Sequence, residues 1–195
     1  SGLGICLNFL QHKHALDGIP VHILTRAILD CDSVTAARLC IARSGYGKSS
    51  HFLIADSNGD VHSIEFMGDT AAEVEPLTTA YLHTNHCISP GVPDDATEET
   101  SSSALRLKAG RTYLHKNARR SFDVMQNLLS REEGGDFAIN NPYHSSVNFP
   151  GERIGTCATL LMDLTRRQIH VRKGPHDKNP FKVYALEPVS YTHLR

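Results

Sequence analysis

The chain is predicted to be an α+β domain in which helix pairs stack on antiparallel sheets. Three observations predict it. Apolar residues recur at helical spacing in two separate pairs of segments. The strand-like runs arrive as hairpins; a doubly wound parallel sheet would alternate them singly with helices. A length of 195 residues, 40% hydrophobic and 21% charged, is that of one globular domain with a real core.

Gly4 to Leu10 is short and apolar, which predicts a buried strand. Gln11 to Gly18 is polar and reads as a loop. Pro20 suits the first turn of a helix, and Val21, Leu24, Ile28 and Leu29 place an amphipathic helix over 20–30. Ser33 is an N-cap for a second helix over 34–43. The period then changes to that of strands. His51 to Ala55 and Val61 to Phe66 flank Asn58-Gly59, the strongest short-range hairpin signal in the chain. Strands are expected over 70–75 and 80–86, and an acidic, Ser/Thr-rich exposed loop or helix cap over 94–103. Helices follow over 104–117 and 122–129, then an irregular stretch over 134–151. A second hairpin turns over 164–167, between strands at 158–163 and 168–172, and Phe181 to Leu186 is the last strand.

The formal net charge of −1 gives no electrostatic reason to expect nucleic acid or an acidic membrane surface as a partner. No apolar run approaches the roughly 20 residues that span a bilayer, and no basic-then-apolar leader opens the chain. The five cysteines, Cys6, Cys31, Cys40, Cys87 and Cys157, are odd in number and scattered, which favours a reducing, cytoplasmic setting. Ser1-Gly2-Leu3 runs straight into a strand without an initiator Met, so an N-terminally truncated fragment is expected. Residues 1–187 read as part of a single domain, and 188–195 as a tail with no place in the pattern.

Chemistry concentrates in Tyr81-Leu82-His83-Thr84-Asn85-His86-Cys87. A carboxamide fixed at a strand end can donate to a developing oxyanion, and it can equally cap the following turn; for Asn85 both readings stand. Asn8 poses the same choice, because an Asn within an apolar strand needs a buried partner or a task. Metal binding by His83, His86 and Cys87, with His12 or His14, is disfavoured: on a strand 83 and 86 point to opposite faces. No metal and no cofactor is expected. Ser44-Gly45-Tyr46-Gly47-Lys48-Ser49 lacks the first P-loop glycine, that position being Ala42, and reads better as a glycine turn after a helix. No cysteine has the surroundings of a nucleophile. Cys31 and Cys40 fall on helices, Cys6 reads as a buried thiol, Cys157 starts a strand, and Cys87 points away from its neighbour His86.

Four segments in this order and spacing resemble the isopenicillin N acyltransferase-like family (peptidase family C45, of the N-terminal-nucleophile hydrolase superfamily). They are Ser1-Gly-Leu-Gly-Ile-Cys-Leu-Asn8, Gly18-Ile-Pro-Val-His-Ile-Leu-Thr-Arg26, His83-Thr-Asn-His86 and Ala158-Thr-Leu-Leu-Met-Asp-Leu164. The resemblance runs from residue 1 to about 187. It implies an αββα sandwich, incomplete here, made as a precursor that cuts itself before a cysteine. That cysteine, upstream of residue 1, would be the nucleophile, with its own α-amino group as base. It further implies an acyl amide or thioester substrate, Asn85 as oxyanion donor, and Leu7 and Asn8 beside the scissile carbonyl. His83, His86, Arg153 and Thr156 are candidate substrate contacts. An arginine of the family's acyltransferase site is replaced near Thr156, with Arg153 three residues away, which sets penicillin-type recognition apart. The expected partner, besides the substrate, is the missing N-terminal segment of the same protein, and this part alone is expected to turn nothing over. Two other readings remain: a binding domain that keeps the fold without a nucleophile, and a hydrolase built on Cys87.

Overall fold

A computed structural model describes residues 2–10, 18–44, 49–67, 70–74, 80–92, 101–135, 138–146, 149–175 and 179–186. Sheet and helix are mixed as the α+β class requires. Strand β1 (Gly4–Phe9) pairs antiparallel with β2 (Ser50–Ala55), β2 with β3 (Val61–Met67) and β3 with β4 (Thr70–Glu73), giving one four-stranded sheet in that order. The hairpin between β2 and β3 turns where Asn58-Gly59 predicts. The Asp56 carboxylate accepts from the backbone N–H groups of Asn58 (2.8 Å) and Asp60 (3.1 Å), and Gly59 takes the positive φ of 94° that the turn needs.

One face of this sheet is apolar and carries the main core. Phe52, Ile54, Ile64 and Phe66 pack under Val21, Leu24 and Ile28 of α1 (Val21–Leu29) and Val34, Ala37 and Ile41 of α2 (Val34–Ser44). Pro20 stands just outside α1 as its cap, so the helix begins one residue later than the sequence places it. Ser33 caps α2 as expected, its hydroxyl accepting from the Ala36 N–H at 3.1 Å.

The opposite face begins with Gly4, Cys6 and Asn8 on β1, since alternate residues of a strand share a face. A Cβ at Gly4 would lie 2.7 Å from the Leu164 side chain and 3.4 Å from the Met162 sulfur, so a second sheet closes on this face there. That sheet is β7 (Ala158–Asp163), β8 (Gln168–Lys173) and β9 (Lys182–Ala185), in that order. The turn over 164–167 forms as predicted, with Arg167 at φ 53°. Two short strands, β5 (His144–Ser145) and β6 (Arg153–Ile154), pair within the stretch read as irregular. Helices α3 (Ser102–Lys116) and α4 (Phe122–Leu128) are capped by Ser101 and Ser121. α4 lies beside the far side of the second sheet, where Phe122 meets the His170 ring at 4.4 Å and Arg172 donates to Ser130 at 2.9 Å, and α3 packs on α4. On the other face of that sheet Leu160, Met162 and Tyr184 are all more than a third exposed.

One predicted strand is corrected. Residues 80–86 have no strand pairing and run as an irregular segment. Their hydrogen bonds go to four separate elements, β1, β2, β3 and α3, mainly through side chains. Gln11–Asp17, Gly45–Lys48, Glu75–Thr79, Pro93–Thr100 and the tail from Glu187 lie outside the described residues. The loop histidines 12 and 14, the glycine turn after α2 and the expected tail therefore fall there too.

Candidate functional site

The polar face of the first sheet holds the site. Register places Asn8 of β1 opposite His51 of β2, and His51 opposite Glu65 of β3, so three polar side chains form one row across three strands. His51 is 1% exposed and Glu65 0%, inside a sheet that is otherwise apolar or small at these positions. Buried groups of this kind persist only when satisfied, and the segment from Tyr81 to Ser89 satisfies them.

His83 is the link. Its Nε2 lies 2.8 Å from Glu65 Oε1 and its Nδ1 3.1 Å from Asn8 Oδ1. The two side chains of the His83–Glu65 pair are 2% and 0% exposed. Glu65 also accepts the backbone N–H groups of Ile88 (2.7 Å) and Ser89 (2.9 Å). Burial alone would push the Glu65 carboxyl up, but the hydrogen bonds from His83 and the two backbone N–H groups outweigh it and hold the group below its ordinary value. His51 stacks on His83 with ring centroids 3.5 Å apart and planes 11° from parallel. Its Nδ1 is 3.3 Å from Asn8 Oδ1 and its Nε2 3.0 Å from Ser63 Oγ, with the Tyr81 hydroxyl 3.4 Å away. Burial, and then the neighbouring His83, lower the His51 pKa to about 2, so this ring is neutral. Burial raises the Tyr81 phenol.

Asn85 sits at the same end of β1. Its Nδ2 donates to the Phe9 carbonyl at 3.1 Å, one residue past Asn8, and its Oδ1 accepts from Arg106 Nη2 at 3.0 Å. Its backbone N–H donates to Ser103 Oγ at 2.7 Å. The same hydroxyl lies 2.8 Å from His86 Nδ1, and Thr84 Oγ1 donates to the Ser103 carbonyl at 2.9 Å. The first turn of α3 thus clamps Thr84, Asn85 and His86, while the sheet clamps His83. Arg106 is partly desolvated, which lowers its pKa, though a guanidinium stays charged.

The other sequence candidates separate. Leu7 faces the α1–α2 core, so its side chain is on the sheet face away from Asn8. Thr156 is bound up with Asn141, accepting its backbone N–H at Oγ1 (2.8 Å) and donating its own to the Asn141 carbonyl (2.9 Å). Arg153 is exposed, donating to the Tyr143 carbonyl at 3.1 Å with its guanidinium 5.7 Å from that ring's centroid. No described contact joins Arg153 or Thr156 to Asn8 or Asn85. All five cysteines are thiols without disulfides. Cys87 packs beside the small cluster of Leu10, Met67 and Val92. Cys31 follows α1 instead of lying on it, and its thiol is pushed up by burial and then by Cys40. Cys6 corrects the expectation of a buried thiol: solvent reaches the residue, although the protein around its sulfur still pushes its pKa up and disfavours the thiolate. Among the described residues no group of His, Cys, Asp and Glu could hold a metal ion, and no helix is long and apolar enough to cross a membrane.

A cleft of about 720 Å³ opens beside this network. Tyr81, Phe122, Met125 and Leu161 wall it, with the charged Arg120, Asp163 and Arg166. Tyr81 is shared, its ring lining the cleft and its hydroxyl reaching His51. His51, Glu65, Ser103 and Arg106 were not singled out from the sequence. The signal was present for two of them, since His51 and Glu65 interrupt apolar strands at positions that alternation assigns to one face.

A protein-family model described as acyl-coenzyme A:6-aminopenicillanic acid acyl-transferase matches residues 1–175. No curated protein matches the chain. With that match covering all but the last 20 of its 195 residues, the chain belongs to the acyl-coenzyme A:6-aminopenicillanic acid acyl-transferase family.

Proposed function

We propose that the chain is the anion-stabilising part of an acyl-transfer enzyme of the N-terminal-nucleophile type, layered as an αββα sandwich. The substrate is an acyl amide or thioester whose acyl group passes to an amine or to water. The observation that carries this reading is the pair of carboxamides at one end of β1, Asn85 bonded to the carbonyl of Phe9 and Asn8 one residue earlier. A carboxamide has two N–H donors, so Asn85 Nδ2 keeps one for a substrate while the other is held by Phe9. The Arg106 guanidinium on Asn85 Oδ1 draws electron density from the amide and makes its N–H groups stronger donors. A donor fixed in this way before the reaction lowers the barrier to the tetrahedral intermediate without reorganising.

The attacking group in this reading is a cysteine sulfur supplied by a segment that precedes these residues and is freed by self-cleavage. Two observations support it. Burial pushes the Cys6 and Cys31 thiols up, away from the thiolate that attacks. The face bearing Leu160, Met162 and Tyr184 is apolar and accessible, as suits a further strand of the same protein. The acyl group lies in the cleft beside Tyr81, whose walls are mainly apolar. The test is thioester and amide cleavage by the whole gene product and its Asn85→Ala variant. Loss of the donor lowers kcat roughly 100- to 1000-fold. An unchanged kcat removes Asn85 from the mechanism and the reading with it.

A further inference from the structure

One ring stands between the apolar cleft and the buried polar row. Ala80 and Tyr81 line the cleft from the segment that is bonded to the first sheet. The other walls come from residues 120–125, from β7 and from the turn that follows it. Tyr81 has the cleft on one side and the row on the other. Its hydroxyl lies 3.4 Å from His51 Nε2, and its ring centroid is 5.7 Å from that of His51 and 6.3 Å from that of His83. A ring packed against two buried imidazoles and tethered at its tip is a fixed wall. Through Nδ1 the same His51 reaches Asn8 Oδ1 at 3.3 Å, so Tyr81 is joined to the end of β1 where the acyl carbonyl reacts. An acyl chain that leaves that carbonyl and enters the cleft meets Tyr81. The charges around the cleft already have partners. Arg120 donates to the Leu114 and Asn117 carbonyls at the end of α3, and Arg166 is paired with Asp163 at 2.8 Å. What remains for a ligand is chiefly apolar surface, which measures size.

We propose that Tyr81 is the specificity-determining residue of the acyl site, its ring setting the longest apolar acyl chain that the enzyme accepts. This rests on the acyl-transfer reading. Shortening the side chain opens the cleft toward His51 and Ser63 and lengthens the room for the chain. The change leaves the buried row satisfied, because His51 Nε2 keeps Ser63 Oγ at 3.0 Å when the phenol is gone.

The test is kcat/KM for thiol release from a series of straight-chain acyl-coenzyme A thioesters, acetyl to dodecanoyl, with the whole gene product. The wild type should show a length optimum and a steep fall beyond it. Tyr81→Leu and Tyr81→Ala should move the optimum to longer chains, more for Ala, and raise kcat/KM on those chains relative to the wild-type optimum by about 10-fold or more. Tyr81→Trp should move it the other way. A role in folding alone would scale every member of the series alike, so a uniform change, or an unchanged profile in these variants, overturns the proposal while turnover of the series keeps the acyl-transfer reading. A wild type that is indifferent to chain length overturns it as well, and that measurement needs no variant. If the wild type cleaves no member of the series and no acyl amide, or if Asn85→Ala is silent, the acyl-transfer reading falls and takes this inference with it.

Discussion

Acid should loosen this protein from within the site, and His51 sets the amount. The ring is 1% exposed and its pKa is lowered to about 2, against 6.5 for an unhindered imidazole. Above pH 6.5 both folded and unfolded chains carry this ring neutral, and it contributes no pH dependence. As the pH falls below 6.5 the unfolded ring binds a proton and the folded ring does not. The unfolded state therefore gains, and stability falls by up to about 1.4 kcal/mol for each pH unit. Between pH 7 and pH 5 the loss from this single group comes to about 2 kcal/mol, a large part of a typical folding free energy. The perturbation is His51→Gln, which cannot titrate. Urea unfolding of both proteins at pH 7 and pH 5, compared at equal m-values, gives the difference. His62, also held low by burial, is common to both proteins. The wild type should lose about 2 kcal/mol more than the variant on acidification. Equal losses would refute a buried neutral ring at position 51.

Glu65→Ala leaves His83 Nε2 and two buried backbone N–H groups without their acceptor and should cost about 3–5 kcal/mol in thermal or urea unfolding. A loss under 1 kcal/mol would mean that water reaches the pair. Gly155→Ala places a Cβ 3.0 Å from both the Asn141 carbonyl oxygen and Tyr143 Cα, backbone atoms that cannot rotate aside, and should cost about 1–3 kcal/mol by the same assay.

Much of the fold was legible because it is set by local rules. Asn58-Gly59 fixed the first hairpin, Ser33 the start of α2, and the 3.6-residue spacing of Val21, Leu24 and Ile28 the buried stripe of α1. The site was less legible for a physical reason. Asn8 and Asn85 stand out as residue types, but their partners are chosen by sheet register, and register joins positions 8, 51 and 65 that no sequence window contains together. The same cause explains the error over residues 80–86. Their apolar and β-branched character suits a strand, yet His83 is drawn to the sheet while Thr84 and His86 are drawn to α3, and the tertiary contacts override the local preference. Arg153 and Thr156 neighbour the matching Ala158–Leu164 segment in sequence, but the β5–β6 pairing and Asn141 engage them elsewhere.

The segment from Tyr81 to Ser89 has no ladder or helix of its own. It keeps its shape only because a strand row lies on one side of it and a helix start on the other. Its four central residues come into order together, once both supports have docked. Activity in this protein should therefore vanish along with global unfolding instead of ahead of it, and a variant that detaches α3 alone should be inert while its first sheet is still folded.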